Sequence, residues 1–255
     1  MKKTSNRSKY LEMKDMPPLK YCVFLLMALV LGVSSCQNNR ITQNEILWDE
    51  YGVPHIYATS DTSLYYMAGW AHMKNHGNLV LKLYGEARGV SAALWGEGFD
   101  LNKNLHLLGI YDQLEGSFDQ LDVKYQNMLS AFARGVNDYA EMNQEELDER
   151  YLKLLPVSAF DIMAHIFRVV NYEFLIRGQV ARGERIEAGS NAWALAGSQT
   201  ATGNPMLVAN PHLPYFDLFL WFEQQYHTNE FNMYGASTVG IPSLILDSTN
   251  ISLGL

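Results

Sequence analysis

Cysteine is almost absent from this chain. The 255 residues hold two, Cys22 and Cys36, and both lie near the start. A body without thiols cannot build a disulfide, a cysteine-based zinc site or a thiol nucleophile. Basic charge is also scarce: 19 Lys and Arg stand against 27 Asp and Glu, a formal net charge of −8. Residues 1–35 take six of the basic residues and two of the acids. From Cys36 onward 13 basic and 25 acidic residues remain, a formal −12. No basic stripe is visible to neutralise phosphates, which argues against a nucleic-acid partner. The sequence G-x-S-x-G is missing, which weakens an α/β-hydrolase reading. No P-loop or dinucleotide fingerprint occurs.

What is present is a globular composition. Hydrophobic residues make up 48%, aromatics 12% and charged residues only 18%. That suffices for one large core or two modest ones and is unlike a disordered or coiled-coil chain.

The N-terminus reads as an export signal. Lys14 and Lys20 form a positive flank ahead of "YCVFLLMALVLG". A run of about a dozen apolar residues is short for a bilayer span and suits a signal-peptide core. "VSSC" follows, and small residues before Cys36 resemble the bacterial lipobox. On that reading residues 1–35 are a lipoprotein signal peptide and Cys36 is the lipidated first mature residue. The expected location is the periplasm or outer membrane of a Gram-negative-type bacterium, with membrane contact only through the lipid anchor. The alternative is a plain signal peptide followed by a chance cysteine. The leading segment is long, so Met13 or Met16 are alternative starts.

The mature chain divides by pattern. "EILWDEYGVPHIYA" alternates around a glycine-containing turn and predicts a hairpin over 45–57. A long helical pattern follows from Ser60, interrupted at Gly77, with a short helix at "SAALWG". Residues 100–114 and 118–139 predict two more helices, the second with Phe118, Leu121, Tyr125, Met128, Phe132, Val136 and Tyr139 in a stripe. Those side chains fit a core better than a ligand box. Pro156 and Ser158 open a helix running to about Ile176. Residues 177–189 form a charged, glycine-bearing linker without a period. Beyond Ser190 the chain is β-rich: "NAWALAG" reads as a buried strand, followed by strands at "PMLVAN", "LFLWFEQQYH" and "FNMYGAST". A helical part at 36–176 and a β-rich part at 190–255 make this an α+β protein.

Two histidines, His72 and His76, stand four residues apart on a predicted helix, a spacing that can hold a metal. The zinc-protease motif requires Glu after the first His, and here Met73 occupies that position. Ordinary surface or hydrogen-bonded histidines fit better.

"EAGSNAWALAG" places Gly189 and Ser190 between the linker and a strand. Such a Gly-Ser is usually a tight turn. The other reading is a peptide bond meant to be cut. Cleavage before Ser190 would give it a free α-amine, whose pKa of roughly 7.7–8.0 lies far below that of lysine. That amine can accept the hydroxyl proton, directly or through one water, so one residue supplies nucleophile and base. Gly189 permits strained backbone geometry and close approach. An exposed linker suits excision.

"GSNAWALAGSQTATGNPMLVANPHLPY" closely resembles the nucleophile region of the penicillin acylase family of N-terminal-nucleophile hydrolases. The matching residues are Gly189, Ser190, Asn191, Trp193, Thr202, Gly203, Asn210, Pro211, His212 and Leu213. Upstream, "DEYGVPHIYATSD" resembles the opening hairpin of the family, and "AGWAHMKNHGNLVLKLYGEARGVSAALWGE" its first long helix. "HMKNHGN" departs from the acidic Glu-Asp-Arg-like element of many members, which marks a divergent subgroup. The resemblance covers roughly residues 45–246. It implies an αββα sandwich, of which this chain holds the helical small-subunit part and the first strands of the large subunit. It implies self-cleavage before Ser190, giving small and large subunits from one precursor, and hydrolysis of small acyl amides through an acyl-Ser190 intermediate. His212 would support the nucleophile rather than act as the main base; otherwise it is a hydrogen-bonded histidine closing a strand. Asn191, Trp193 and Asn210 would support the motif. No cofactor is required. A structural calcium is common in such enzymes but has no assignable site here.

The chain also departs from the family. Members continue for several hundred residues, with a next element resembling Gly-Phe-Asn-x-x-Leu-x-Trp and oxyanion donors that lie further on. This chain reads "LDSTNISLGL" from Leu246. Codons can be chosen for residues 246–254 so that a shifted frame reads Gly-Phe-Asn-Lys-Tyr-Leu-x-Trp. A frameshift near codon 246, in the gene or its record, is therefore expected, leaving a truncated product that stays unprocessed and inactive. The rival reading is a non-catalytic surface lipoprotein or inactive remnant with a binding or structural role.

Overall fold

The computed structural model describes residues 40–177, 189–213, 215–244 and 246–250. The signal segment with Cys36 and the linker core at 178–188 lie outside these residues. The architecture is α+β, with seven α-helices and seven strands among the described residues.

The hairpin forms where the sequence predicts it. Strands β1 (Glu45–Trp48) and β2 (Pro54–Tyr57) pair antiparallel, Glu45 opposite Tyr57 and Trp48 opposite Pro54. One oxygen of Asp49 accepts the backbone N–H groups of Tyr51 and Val53, both at 2.9 Å. Gly52 takes the left-handed conformation that closes the turn (φ +78°).

Helix α1 (Asp61–Ala87) starts where Ser60 accepts the N–H of Ser63 through its hydroxyl, satisfying one orphan donor of the first turn. It is bent at His76, whose backbone leaves the helical region (φ −140°, ψ 30°), next to the predicted break at Gly77. Short helices α2 (Ser91–Trp95), α3 (Phe99–Leu107) and α4 (Ile110–Glu115) follow. The helix expected over 100–114 is thus two, divided at Gly109, which adopts φ +60°. Helix α5 (Val123–Met142) starts later than its apolar stripe. Phe118 and Leu121 sit in a preceding turn, and Asp122 caps the helix by accepting the N–H of Lys124. Short α6 (Glu149–Leu152) leads to α7 (Ala159–Phe167), opened by a capping box between Ser158 and Asp161. The chain continues from α7 in wider π-helical turns over Arg168–Arg177.

Helices α1 and α5 cross with no side chain between them at two points. A Cβ on Gly69 would lie 2.2 Å from the carbonyl oxygen of Phe132, and one on Gly135 would lie 2.0 Å from that of Tyr66. Around this crossing Leu64, Met67, Val80, Leu81, Phe132, Val136 and Ile162 fill the main core.

The β-rich part splits. Strands β5 (Trp221–His227), β6 (Asn232–Thr238) and β7 (Leu246–Asn250) form an antiparallel meander. Strand β5 also pairs in parallel with β2, giving a five-stranded sheet ordered β1-β2-β5-β6-β7. One sheet therefore takes strands from both sides of the linker. Its inner face, carrying Ile56, Phe222, Gln224, Tyr226 and Ser237, is buried. Strands β3 (Ser190–Leu195) and β4 (Met206–Pro211) form a separate two-stranded ribbon. The strand expected to be buried at Ser190 is exposed along its whole length. Among the described residues it pairs with β4 alone, and β4 too is exposed over most of its length.

Buried side chains of the helical part hold the turn after β6. Tyr84 donates its hydroxyl to the Gly240 carbonyl at 2.7 Å, and His165 Nε2 lies 3.2 Å from the Val239 carbonyl. His72 Nδ1 accepts the N–H of Gly240 at 3.1 Å. Burial pushes both imidazoles down to about 3, so both are neutral.

Candidate active site

The residues around Gly189 and Ser190 are arranged by the β3–β4 ladder. Ser190 stands opposite Pro211, Asn191 opposite Asn210 and Trp193 opposite Val208. One step before the strand, the carbonyl oxygen of Gly189 accepts the backbone N–H of His212 at 2.9 Å. The same oxygen accepts the hydroxyl of Ser190 at 2.8 Å. Across the ribbon, the side-chain nitrogen of Asn191 lies 2.9 Å from His212 Nε2. When Asn191 donates, the proton of the neutral imidazole is on Nδ1. That Nδ1 faces Gly189, where an added Cβ would meet it at 3.5 Å, an ordinary contact.

The far end of the ribbon explains two more residues of the pattern. Gly203 turns with φ +75°, and a Cβ on Gly197 would lie 2.2 Å from its carbonyl oxygen. Thr200 donates its hydroxyl to the carbonyls of Gly197 and Asn204, and the Thr202 hydroxyl accepts the N–H of Asn204. Thr202 and Gly203 thus shape the connection that sets the strand register.

The structure brings Gly189, Ser190, Asn191 and His212 together. Asn210 and Trp193 lie on the Asn191 face of the ribbon, as alternation requires, and Trp193 is 57% exposed. All of these groups face solvent.

Residues 43–251 match the family model described as penicillin amidase. The chain belongs to the penicillin amidase family. It is 25% identical over 259 residues to the acyl-homoserine lactone acylase PvdQ of Pseudomonas putida strain KT2440. The match takes in 85% of this chain and 33% of that protein. The chain therefore spans about a third of the length of that curated relative. Among solved structures it is similar to a thermostable penicillin G acylase from Alcaligenes faecalis. The TM-score is 0.45 at 20% identity, over 55% of this chain and 75% of the other.

The amidase match encloses Gly189, Ser190 and His212, together with helical groups that sequence reasoning did not single out. A cavity of about 460 Å³ is lined by Glu86, Asn104, Arg168, Tyr172, Phe216 and Asp217, among others. Lys82 bonds both carboxylate oxygens of Asp217 at 3.0 Å, and Arg168 pairs with Glu86 at 2.9 Å. Burial raises the Glu86 carboxyl, against the pull of Arg168 and Lys82. Ser190 and His212 do not line this cavity. The signal for such a cluster, charged residues at helical spacing, is indistinguishable in sequence from a solvated helix face.

His72 and His76 do not form a metal pair. His72 is fully buried, and the rings of both pack against Phe222, at 4.2 and 5.7 Å between centroids. Among the described residues no group of three or more His, Cys, Asp or Glu is placed to hold a metal ion. No described helix is long and apolar enough to cross a membrane.

Proposed function

We propose that this chain is the precursor segment of a self-processing amidohydrolase that cleaves linear acyl amides. Ser190 is the nucleophile and Gly189–Ser190 the processing site. The observation that carries this reading is the contact of the Ser190 hydroxyl with the carbonyl of the residue before it, within the region that matches the family. In the first step Ser190 Oγ attacks the Gly189 carbonyl carbon. The Gly189–Ser190 C–N bond breaks, and the hydroxyl proton ends on the departing nitrogen. Water then opens the Gly189 ester, leaving a Gly189 carboxyl and a free Ser190 hydroxyl and α-amine. With a pKa of roughly 7.7–8.0 that amine accepts the hydroxyl proton during attack on a substrate amide. The acyl group passes to Ser190, the amine product leaves, and water releases the acid.

His212, braced by Asn191, supports the nucleophile; Trp193 and Asn210 support the ribbon that holds it. The substrate is a small acyl amide. Acyl-homoserine lactones and penicillin G, which appear in the names of its relatives, are the first compounds to try. Cys36 is the proposed lipid attachment point and would hold the mature protein at a bacterial membrane surface.

Expression followed by denaturing electrophoresis and N-terminal sequencing tests the reading. A fragment starting at Ser190, lost in Ser190→Ala, is the expected result. A single uncut chain without hydrolysis of any acyl amide would favour the non-catalytic lipoprotein.

A further inference from the structure

We infer that the backbone N–H of His212 is the oxyanion donor for cleavage at Gly189–Ser190. The inference rests on the self-processing reading and adds the group that holds the charge.

The argument begins with a proline. In an antiparallel ladder the backbone N–H and C=O groups of successive residues point alternately toward the partner strand and away from it. Proline has no N–H and is tolerated where that group would point away. Pro211 stands opposite Ser190. The next residue therefore points its N–H inward, and His212 N reaches the Gly189 oxygen at 2.9 Å. The Asn-Pro-His sequence thus fixes which backbone donor meets the scissile carbonyl.

That donor is suitably placed for the reaction. Catalytically useful donors lie about 2.7–3.1 Å from the oxygen that will carry charge. The carbonyl now accepts two hydrogen bonds, from His212 N–H and from Ser190 Oγ–H. When Oγ turns to the carbon, its own hydrogen bond to the oxygen is lost. The His212 bond stays, because the paired strands hold both of its ends. The developing C–O⁻ then has a donor that needs no reorganisation. Negative charge forms on the Gly189 oxygen as the Oγ–C bond forms. It is withdrawn as the C–N bond breaks and the proton reaches the Ser190 nitrogen.

Both groups of this pair lie in the ribbon described here. Cleavage is accordingly expected of the chain as it stands, contrary to the expectation that it stays unprocessed.

The test removes the N–H and leaves the imidazole in place. The parent chain is compared with a semisynthetic chain in which the amide of residue 212 is an ester. A second ester at residue 208 weakens the ladder at another inward-pointing position, opposite Trp193. The fragment beginning at Ser190 is followed by mass spectrometry. The expected result is cleavage of the residue-212 ester slowed by about 10²-fold, the low end for loss of one oxyanion donor. The residue-208 ester should stay within about tenfold of the parent on the same scale. Equal slowing by the two esters, or no slowing at residue 212, overturns the assignment while self-processing stands. An uncut parent chain overturns self-processing and this assignment with it.

Discussion

His72 holds Gly240 through a bond that only a neutral imidazole can make. Its Nδ1 accepts the backbone N–H of Gly240 at 3.1 Å, with the ring fully buried. A neutral ring that accepts at Nδ1 carries its proton on Nε2. That proton points at the Gln224 side chain, 3.4 Å away, so the amide must present its oxygen there. The helical part and the turn after β6 are therefore joined by a proton-sensitive contact.

Acid is expected to loosen the fold well above the pH at which ordinary carboxylates titrate. The folded pKa values of His72 and His165, about 3, lie below the ordinary 6.5. Below pH 6.5 the unfolded chain takes up protons that the folded chain refuses. Stability is thus full above 6.5 and falls as pH drops toward 3. At pH 5 each histidine accounts for a loss of about 2 kcal/mol. His76 and His227, also lowered by burial, act in the same direction, while Glu86, raised by burial, opposes them at lower pH. Urea midpoints measured from pH 8 to 5 check the slope. His72→Asn, which keeps an acceptor near Nδ1 but does not titrate, should flatten it.

Removing the buried carboxylate of Asp161 should be severe. Arg88 grips both its oxygens at 2.7 Å and also donates to the carbonyls of Leu154 and Pro156. The Asp161 side chain, fully buried, also accepts the N–H and hydroxyl of Ser158 to cap α7. Asp161→Ala leaves the guanidinium without its partner and the cap undone, a loss of about 3 kcal/mol or more. Chemical denaturation measures it, and a double variant with Arg88→Leu should recover part of the loss.

The crossing of α1 and α5 has no room for a methyl group. Gly69→Ala and Gly135→Ala each drive a carbon to within about 2 Å of a backbone carbonyl oxygen, which rotamer changes cannot relieve. Each should destabilise by about 3 kcal/mol or more, the upper end for overpacking. Thermal melts should show this, whereas Gly116→Ala, with open space around it, serves as a mild control.

The ring of His212 is oriented by Asn191. Asn191→Ala should preserve cleavage before Ser190, since the backbone bond from His212 to Gly189 remains. Hydrolysis of acyl amides should fall about 10-fold or more with little change in KM, as for loss of a group that assists proton transfer. Single-turnover kinetics on an acylated chromogenic amine separates the two effects.

Elements with a strong local signal were legible. The hairpin at 45–57 announced itself through alternation around Gly52, and the bend in α1 through Gly77 beside His76. Boundaries set by caps were less so: the stripe of α5 extends back to Phe118, but Asp122 and the turn before it decide where the helix begins. The motif residues Gly189, Ser190, Asn191 and His212 were read from the family pattern, and the ladder supplies the contacts among them. The five-stranded sheet was not readable. Parallel pairing of β2 with β5 depends on an inner face shared by Ile56 and Tyr226, and nothing local in either strand encodes its neighbour. Nor did the sequence reveal that His72 is buried, because its polar partners, Gly240 and Gln224, lie over 150 residues away.

The parallel pairing of His55–Tyr57 with Gln225–His227 ties two distant stretches of one polymer, and the Gly189–Ser190 bond lies on the loop between them. While that bond is intact, refolding is a unimolecular closure whose entropic cost grows only slowly with loop length. Once it is cut, the same two strands must find each other by diffusion, and recovery becomes second order in concentration. A protein that cuts this loop after folding would keep its shape but lose its easy way back. Its durability would then be governed by how slowly it opens rather than by how readily it re-forms.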